Sequence, residues 1–290
     1  MRRNRGWAWL WMALGTLYFV IPLAATFFFS LHGKKGVLGF AAYQRVFKDP
    51  EFLHSFTFSL WMAFFTVIVG LALLIPTVIW IHLRARWAKN IVEGMSLLPF
   101  VIPPIVLVFG LMRIYSQPPI QLAQTPALLV AGYVVLSFPY IYRSVDAGLR
   151  AMDLRGLTEA AQSLGASWWR IMFKIILPNM KVAVLSATFL TFAIVIGELT
   201  LANILAWPAF GPYMAFIGRD LAYEPTALAV MSFMMTWGLV TWSSYPSRLM
   251  RSMRIDKCNS PRPETLLPMT SVRGSTWSAT SDSTSRFNRS

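Results

Sequence analysis

The sequence predicts an all-α membrane protein: six transmembrane helices, with a helix-turn-helix on the cytoplasmic surface between the fourth and the fifth. Three observations lead to this fold class. Of the 290 residues, 56% are hydrophobic and only 13% charged, which is too apolar for a soluble domain of that length. Apolar runs suited to a hydrocarbon core of roughly 30 Å recur along the chain. The basic residues fall in short segments beside those runs and near the end of the chain, which is the pattern that orients a polytopic protein. The formal net charge of +14 is explained by that orientation and by contact with membrane lipid, and no nucleic acid is expected as a partner.

Taking the elements in order, Arg2, Arg3 and Arg5 precede an apolar run over about 7–31. A secretory signal also opens on basic residues, but its apolar core covers roughly 7 to 15 positions. The longer run here reads as a retained first span, and Pro22 within it predicts a kink. Gly33 to His54 reads as an external loop with a short helix. The second span covers about 59–81 and ends at Arg84, Arg86 and Lys89. Asn90 and Glu93 have capping-box spacing, so a helix is expected to begin there. Pro99, Pro103 and Pro104 then interrupt the third span, about 95–115. A helix broken at bilayer depth needs neighbours to satisfy its freed carbonyls, which favours a bundle with a lumen.

Ser116 to Pro126 reads as an external turn, and the fourth span covers about 127–142. A polar-capped segment over 150–181 leads to a fifth span at about 182–206, an external stretch from Trp207 to Pro225, and a sixth span at 227–242. At about 1.5 Å per residue the sixth is short for a bilayer core. Residues 243–290, rich in Ser, Thr, Arg and Pro, cannot bury a core and read as a disordered tail. Two readings of the break in pattern after Trp242 stay open, a change of reading frame near Thr241 or a genuine extension whose basic residues hold the short helix at the anionic leaflet; both give a 1–242 membrane region with a polar extension.

Within 150–181, Leu157, Ala160, Ala161 and Leu164 fall at i, i+3, i+4 and i+7, an apolar stripe with Arg155, Glu159 and Gln162 on the opposite side. Gly165 permits a tight or left-handed turn. Beyond it, Trp168, Ile171, Met172 and Ile175 form an apolar face, with Ser167, Arg170 and Lys174 opposite. An N-terminus on the inside puts twelve basic residues of the 1–242 region on the cytoplasmic side and six (Lys34, Lys35, Arg45, Lys48, Arg113, Arg219) outside. That ratio supports both termini and the helix-turn-helix being cytoplasmic.

The stretch Glu159–Pro178 resembles the EAA loop of ABC-importer permease subunits. Its pattern is matched at Glu159, Ala160, Ala161, Gly165, Ile175, Leu177 and Pro178. The resemblance implies a cytoplasmic coupling-helix loop between the fourth and fifth spans, docking into a separate cytoplasmic ATP-binding cassette ATPase. It further implies a second permease subunit, a different chain, and an extracytoplasmic solute-binding protein. IGELTLANIL (196–205), LPFVIPPIVLVFGL (98–111) and SLWMA (59–63) are most similar to the second permease of spermidine/putrescine-type systems, although Phe58 stands where such permeases often carry Asn. A bacterial inner-membrane location follows from the resemblance.

Glu198 is an ionisable group within an apolar span, so it is expected to face protein or water. Two readings stay open: a pathway residue that attracts a cation, or a carboxyl bonded to a neighbouring helix. No phosphate-binding G-x-x-x-x-G-K-[ST] occurs, so ATP hydrolysis is expected in another subunit and the chain itself is not expected to be an enzyme. His32, His54 and His82 lack metal-ligand spacing, and the lone Cys258 excludes a disulfide framework. No cofactor or metal is expected. The alternative function is a self-contained secondary transporter or channel, which would place paired charges at mid-bilayer and need no docking helix.

Overall fold

The computed structural model describes residues 5–32, 39–119, 121–123 and 125–238, and every regular element among them is helical. Helix α1, Arg5–Ser30, runs continuously through Pro22. After α2, Ala41–Lys48, helix α3 opens at Pro50, whose fixed φ suits a first helical position. The Asp49 carboxylate caps α3 by accepting from the Glu51 amide at 2.9 Å. α3 spans 34 residues to Leu83, so it overruns the expected 59–81 at both ends and takes in the last part of the expected 33–54 loop. At about 1.5 Å per residue it exceeds a 30 Å hydrocarbon core, and its ends must project into the interfacial layers.

A 3-10 turn, Arg86–Ala88, leads into α4, Lys89–Met95. A helix does begin near Asn90, but no side chain caps it and the N-cap position is Ala88. The preceding turn runs straight into α4, so Asn90 is not at a helix boundary and the expected capping box does not form. Helices α5, Leu98–Val101, and α6, Pro104–Tyr115, follow. Ile102 between them is extended, with ψ 115°, because the ring of Pro103 disfavours the helical region for the residue before it. The stretches on either side of this break are bent by 103°.

Helix α7, Pro126–Arg150, continues past the expected end at 142, since Val145 and Leu149 still face the interior. Three short pieces follow: α8, Leu154–Ser163, α9, Trp168–Ile171, and α10, Leu177–Asn179. Helix α11, Lys181–Gly197, stops at Glu198 and does not run to 206 as expected. Helices α12, Thr200–Ile204, and α13, Phe210–Ile217, come next, and α14 occupies 223–238. The remainder of the expected sixth span, the expected tail 243–290 and the expected frame change near Thr241 lie outside the described residues.

Helices α3, α7 and α11 pack against one another, and two apolar cores lie at different levels along them. One gathers Val46, Phe52 and Met62 with Leu129, Tyr133, Val195, Leu201, Phe210 and Leu228. The other gathers Leu74, Val78 and Ile79 with Ile141, Val145, Leu149, Leu154, Ala161, Ile171 and Ile176. This pairing makes α3 and α7 run the same way and α11 the opposite way. The helix-turn-helix therefore sits at one end of the bundle, and α2, α12 and α13 at the other. Small residues allow close approach: a Cβ on Gly148 would strike Ala183 of α11, and one on Gly70 would meet Ile141. The Phe29 ring of α1 packs on Tyr223 at 5.0 Å, and Ser30 bonds Tyr43 at 2.7 Å. From Trp7 to Phe28, α1 keeps its large apolar side chains exposed.

Candidate functional site: a surface helix-turn-helix and two facing helix breaks

Asp153 starts α8, its carboxylate accepting from the Gly156 amide at 3.1 Å. The helix ends in a Schellman motif: the Ala166 amide donates to the Ala161 carbonyl at 3.0 Å and the Gly165 amide to the Gln162 carbonyl at 2.9 Å. Gly165 takes φ +75°, the left-handed conformation that costs a side-chain-bearing residue about 1–2 kcal/mol. Its surroundings are open, with no atom within 4 Å of where a Cβ would stand. The requirement for glycine here comes from the backbone alone.

The buried face of α8 is Leu154, Thr158 and Ala161, and not the stripe that sequence periodicity suggests. Leu157 and Leu164 of that stripe point outward, Leu164 being 87% exposed, and Ala160 is exposed too. The periodicity was ambiguous because Thr158 can replace an apolar residue inside: its hydroxyl donates to the Leu154 carbonyl at 2.7 Å. The element thus presents Leu157, Glu159, Ala160 and Leu164 outward, and Ala161 anchors it from within.

After the turn, Ile171 and Met172 are buried, Ile175 and Leu177 are half-buried, and Ser167, Arg170, Lys174 and Pro178 are exposed. Met172–Ile176 forms a π-helical turn between α9 and α10. Proline gives the cause: Pro178 has no amide hydrogen and its ring crowds the carbonyl four residues back, a crowding that widening the turn relieves. Such π turns are rare and recur at functional sites. The seven motif residues therefore share one element without converging on one spot.

Glu198 lies at the break between α11 and α12. Its Oε1 accepts from the Thr200 amide at 2.7 Å and the Leu201 amide at 3.1 Å, and Oε2 accepts from the Leu201 amide at 2.9 Å. The carboxylate thus caps the first turn of α12. It also lines a cavity of about 370 Å3 whose other walls include Pro99, Phe100 and Pro104 at the α5–α6 bend, Tyr140 of α7, and Thr200. Two interrupted helices face each other across this space. Irregular backbone at bilayer depth is tolerated where it is buried in protein or lines a cavity.

The sequence reading missed a third feature. His82 Nε2 lies 2.7 Å from Asp146 Oδ1, and Arg150 Nη2 donates to Asp146 Oδ2 at 2.6 Å. The Asp146 and His82 side chains are 10% and 16% exposed. The two residues stand 64 positions apart, so only the i,i+4 spacing of Asp146 and Arg150 was available as a signal. Among the described residues no group of His, Cys, Asp and Glu has the arrangement of a metal site.

Comparison with known proteins places this architecture. Residues 75–245 match the family described as binding-protein-dependent transport system inner membrane component. The probable sulfate transport system permease protein cysT of Chlorokybus atmophyticus is 28% identical over 206 residues, 67% of this chain and 70% of the relative. The spermidine/putrescine transport system permease protein PotC of Haemophilus influenzae is 28% identical over 215 residues, 71% and 80%. The molybdenum transport system permease protein ModB of the same organism is 29% identical over 174 residues, 56% and 71%. In fold, the chain resembles a bacterial ABC transporter involved in import of the acidic polysaccharide alginate: TM-score 0.60, 17% identity, covering 83% of this chain and 97% of that one. The match to the family model takes in the bend, the helix-turn-helix and Glu198 alike, and the chain belongs to the binding-protein-dependent transport system inner membrane components, the permeases of ABC importers.

Proposed function

We propose that this chain is the permease subunit of an ATP-driven importer, forming with a second, different permease chain the pathway for a small polar solute. The observation that carries the proposal is the pairing of two facing helix breaks, across a cavity lined by Glu198, with a helix-turn-helix that leaves Leu157 and Leu164 outward at one end of the bundle. A surface helix that buries Leu154 and Ala161 on its own chain while exposing another apolar stripe has a second side to offer. That side is the docking surface for a cytoplasmic ATP-binding cassette ATPase. Glu159, Ala160, Ala161, Gly165, Ile175, Leu177 and Pro178 shape it. An extracytoplasmic binding protein delivers the solute at the end that carries α2 and α13, and the region 1–242 lies in the inner membrane with both termini cytoplasmic.

A polyamine-type solute fits best, with phosphonate or ferric iron as other members of the class. The support is the Glu198 carboxylate beside Phe100 and Tyr140 in the cavity, a setting suited to an amine cation. Relatives are named for sulfate, molybdenum and spermidine/putrescine transport, and sulfate is an anion where spermidine is a cation, so charge separates the candidates. Affinity purification of the intact complex from native membranes, followed by uptake of labelled spermidine, sulfate and molybdate into vesicles, tests the reading. A co-purifying ATPase and binding protein with ATP-dependent uptake are expected. Uptake by the purified chain alone, without ATP, would instead establish the secondary-transporter or channel alternative.

A further inference from the structure

Helix α7 enters the helix-turn-helix through only Ala151, Met152 and Asp153, so any displacement of α8 acts first on the last turns of α7. Those turns pack with α3, Val145 and Leu149 lying in the same buried core as Val78 and Ile79. Apolar contact of this kind is non-directional and by itself fixes the relative position of the two helices less sharply than a directional bond does. Asp146 adds what packing lacks. Facing α3, its Oδ1 meets His82 Nε2 at 2.7 Å, and on its own helix its Oδ2 accepts from Arg150 at 2.6 Å. Hydrogen bonds to a carboxylate are short and directional, and here Asp146 and His82 are largely shielded from water. Arg150, 52% exposed, holds the carboxylate's second oxygen and sits four residues before the α8 start at Leu154. The other carboxylate acting on Arg150 is Glu93, on α4.

We propose that Asp146 is a positioning residue that locks the end of α3 to the root of the helix-turn-helix, so that ATPase-driven displacement of α8 moves α3 and α7 as one body. The link rests on the importer reading given above. It makes α3, which reaches from His82 to the opposite core at Phe52 and Met62, the lever that carries the motion to the far end of the bundle. Contiguous packed and hydrogen-bonded elements of this kind are the physical carriers of coupling between distant sites. Without the bond, ATP is hydrolysed and α7 moves, but α3 lags.

The test is the number of molecules imported per ATP hydrolysed by the intact complex reconstituted in vesicles, read with whichever of labelled spermidine, sulfate or molybdate the parental complex takes up. Asp146→Asn and His82→Leu are each expected to lower that ratio by about fivefold or more, the low end of coupling between linked sites, with ATPase activity retained. His82→Gln, which keeps a donor where Nε2 stands, is expected to restore most of it, a rescue that a loss of packing would not show. His82→Leu leaves the Asp146–Arg150 pair in place, so it carries the test if Asp146→Asn fails to assemble. A parental ratio in His82→Leu, in a complex that contains its ATPase, overturns the lock while leaving the importer reading intact. Absence of any ATPase from the parental complex overturns both.

Discussion

Tyr213 donates its phenol hydrogen to Asp49 Oδ2 at 2.6 Å, while Oδ1 of the same carboxylate caps α3. One side chain thereby fixes both the start of the longest helix and the position of α13. Burial, and then the Asp49 carboxylate beside it, push the Tyr213 phenol above its ordinary value, so it stays a donor across the usual pH range. Asp49→Ala removes a cap worth about 1 kcal/mol together with a charged hydrogen bond worth about 1.5–3 kcal/mol. Tyr213→Phe removes only the second. Thermal unfolding in detergent is expected to rank parent above Tyr213→Phe above Asp49→Ala; equal midpoints for the two variants would show that the cap contributes nothing.

At Gly165 the cost of substitution is conformational, because the space around it is open. Gly165→Val is expected to lower ATP-driven uptake roughly 5- to 30-fold, the consequence of about 1–2 kcal/mol of strain in the docked turn. Gly165→Asn, which tolerates positive φ, is expected to retain most uptake. Uptake assays at matched membrane levels check this, and parental uptake in Gly165→Val would remove the turn from the coupling element.

Gly211 and Gly132 both sit against the broken region, with different tolerance. A Cβ on Gly211 would overlap the carbonyl of Glu198 and approach Leu199 Cα at 3.1 Å, atoms of backbone that cannot step aside. A Cβ on Gly132 would meet the end of the flexible Leu201 side chain. Overpacking costs typically about 1–3 kcal/mol, so Gly211→Ala is expected at or beyond the upper end and Gly132→Ala at the lower. Folded yield after membrane extraction measures the difference, and equal yields would contradict the close approach of α13 to the break.

Glu198→Gln separates the two roles of that residue. The amide oxygen still accepts from Thr200 and Leu201, so the α12 cap survives, while the charge facing the cavity is lost. Uptake of a cationic solute is expected to fall several-fold with protein level and assembly unchanged. Parental uptake would restrict Glu198 to capping, and loss of folded protein would show that the cap needs both carboxylate oxygens.

How much of this was legible in the sequence depended on the range of the interaction. Apolar runs, prolines and the spaced Gly165 motif are local, and they pointed to the helical class, the α5–α6 interruption and the turn. The burial of α8 was misassigned because Thr158 satisfies its own hydroxyl on the helix backbone and so passes as an interior residue. The end of α11 at Glu198 was hidden because Leu199, Leu201, Ala202, Ile204 and Leu205 keep the stretch largely apolar beyond it, and the break is made by a side chain bonding forward to amides. The His82–Asp146 pair had no signal across helices, since residues so far apart in sequence meet only once α3 and α7 have packed in register.

The docking surface itself can be tested at one residue. A photo-activated cross-linking side chain placed at Leu164 in native-host membranes is expected to form an adduct with an ATP-hydrolysing subunit, whereas the same probe at Phe19, exposed on α1, is expected to form none. If Leu164 gives only lipid adducts, or none, in a complex that still contains the ATPase, the helix-turn-helix is not the docking element and the account is contradicted.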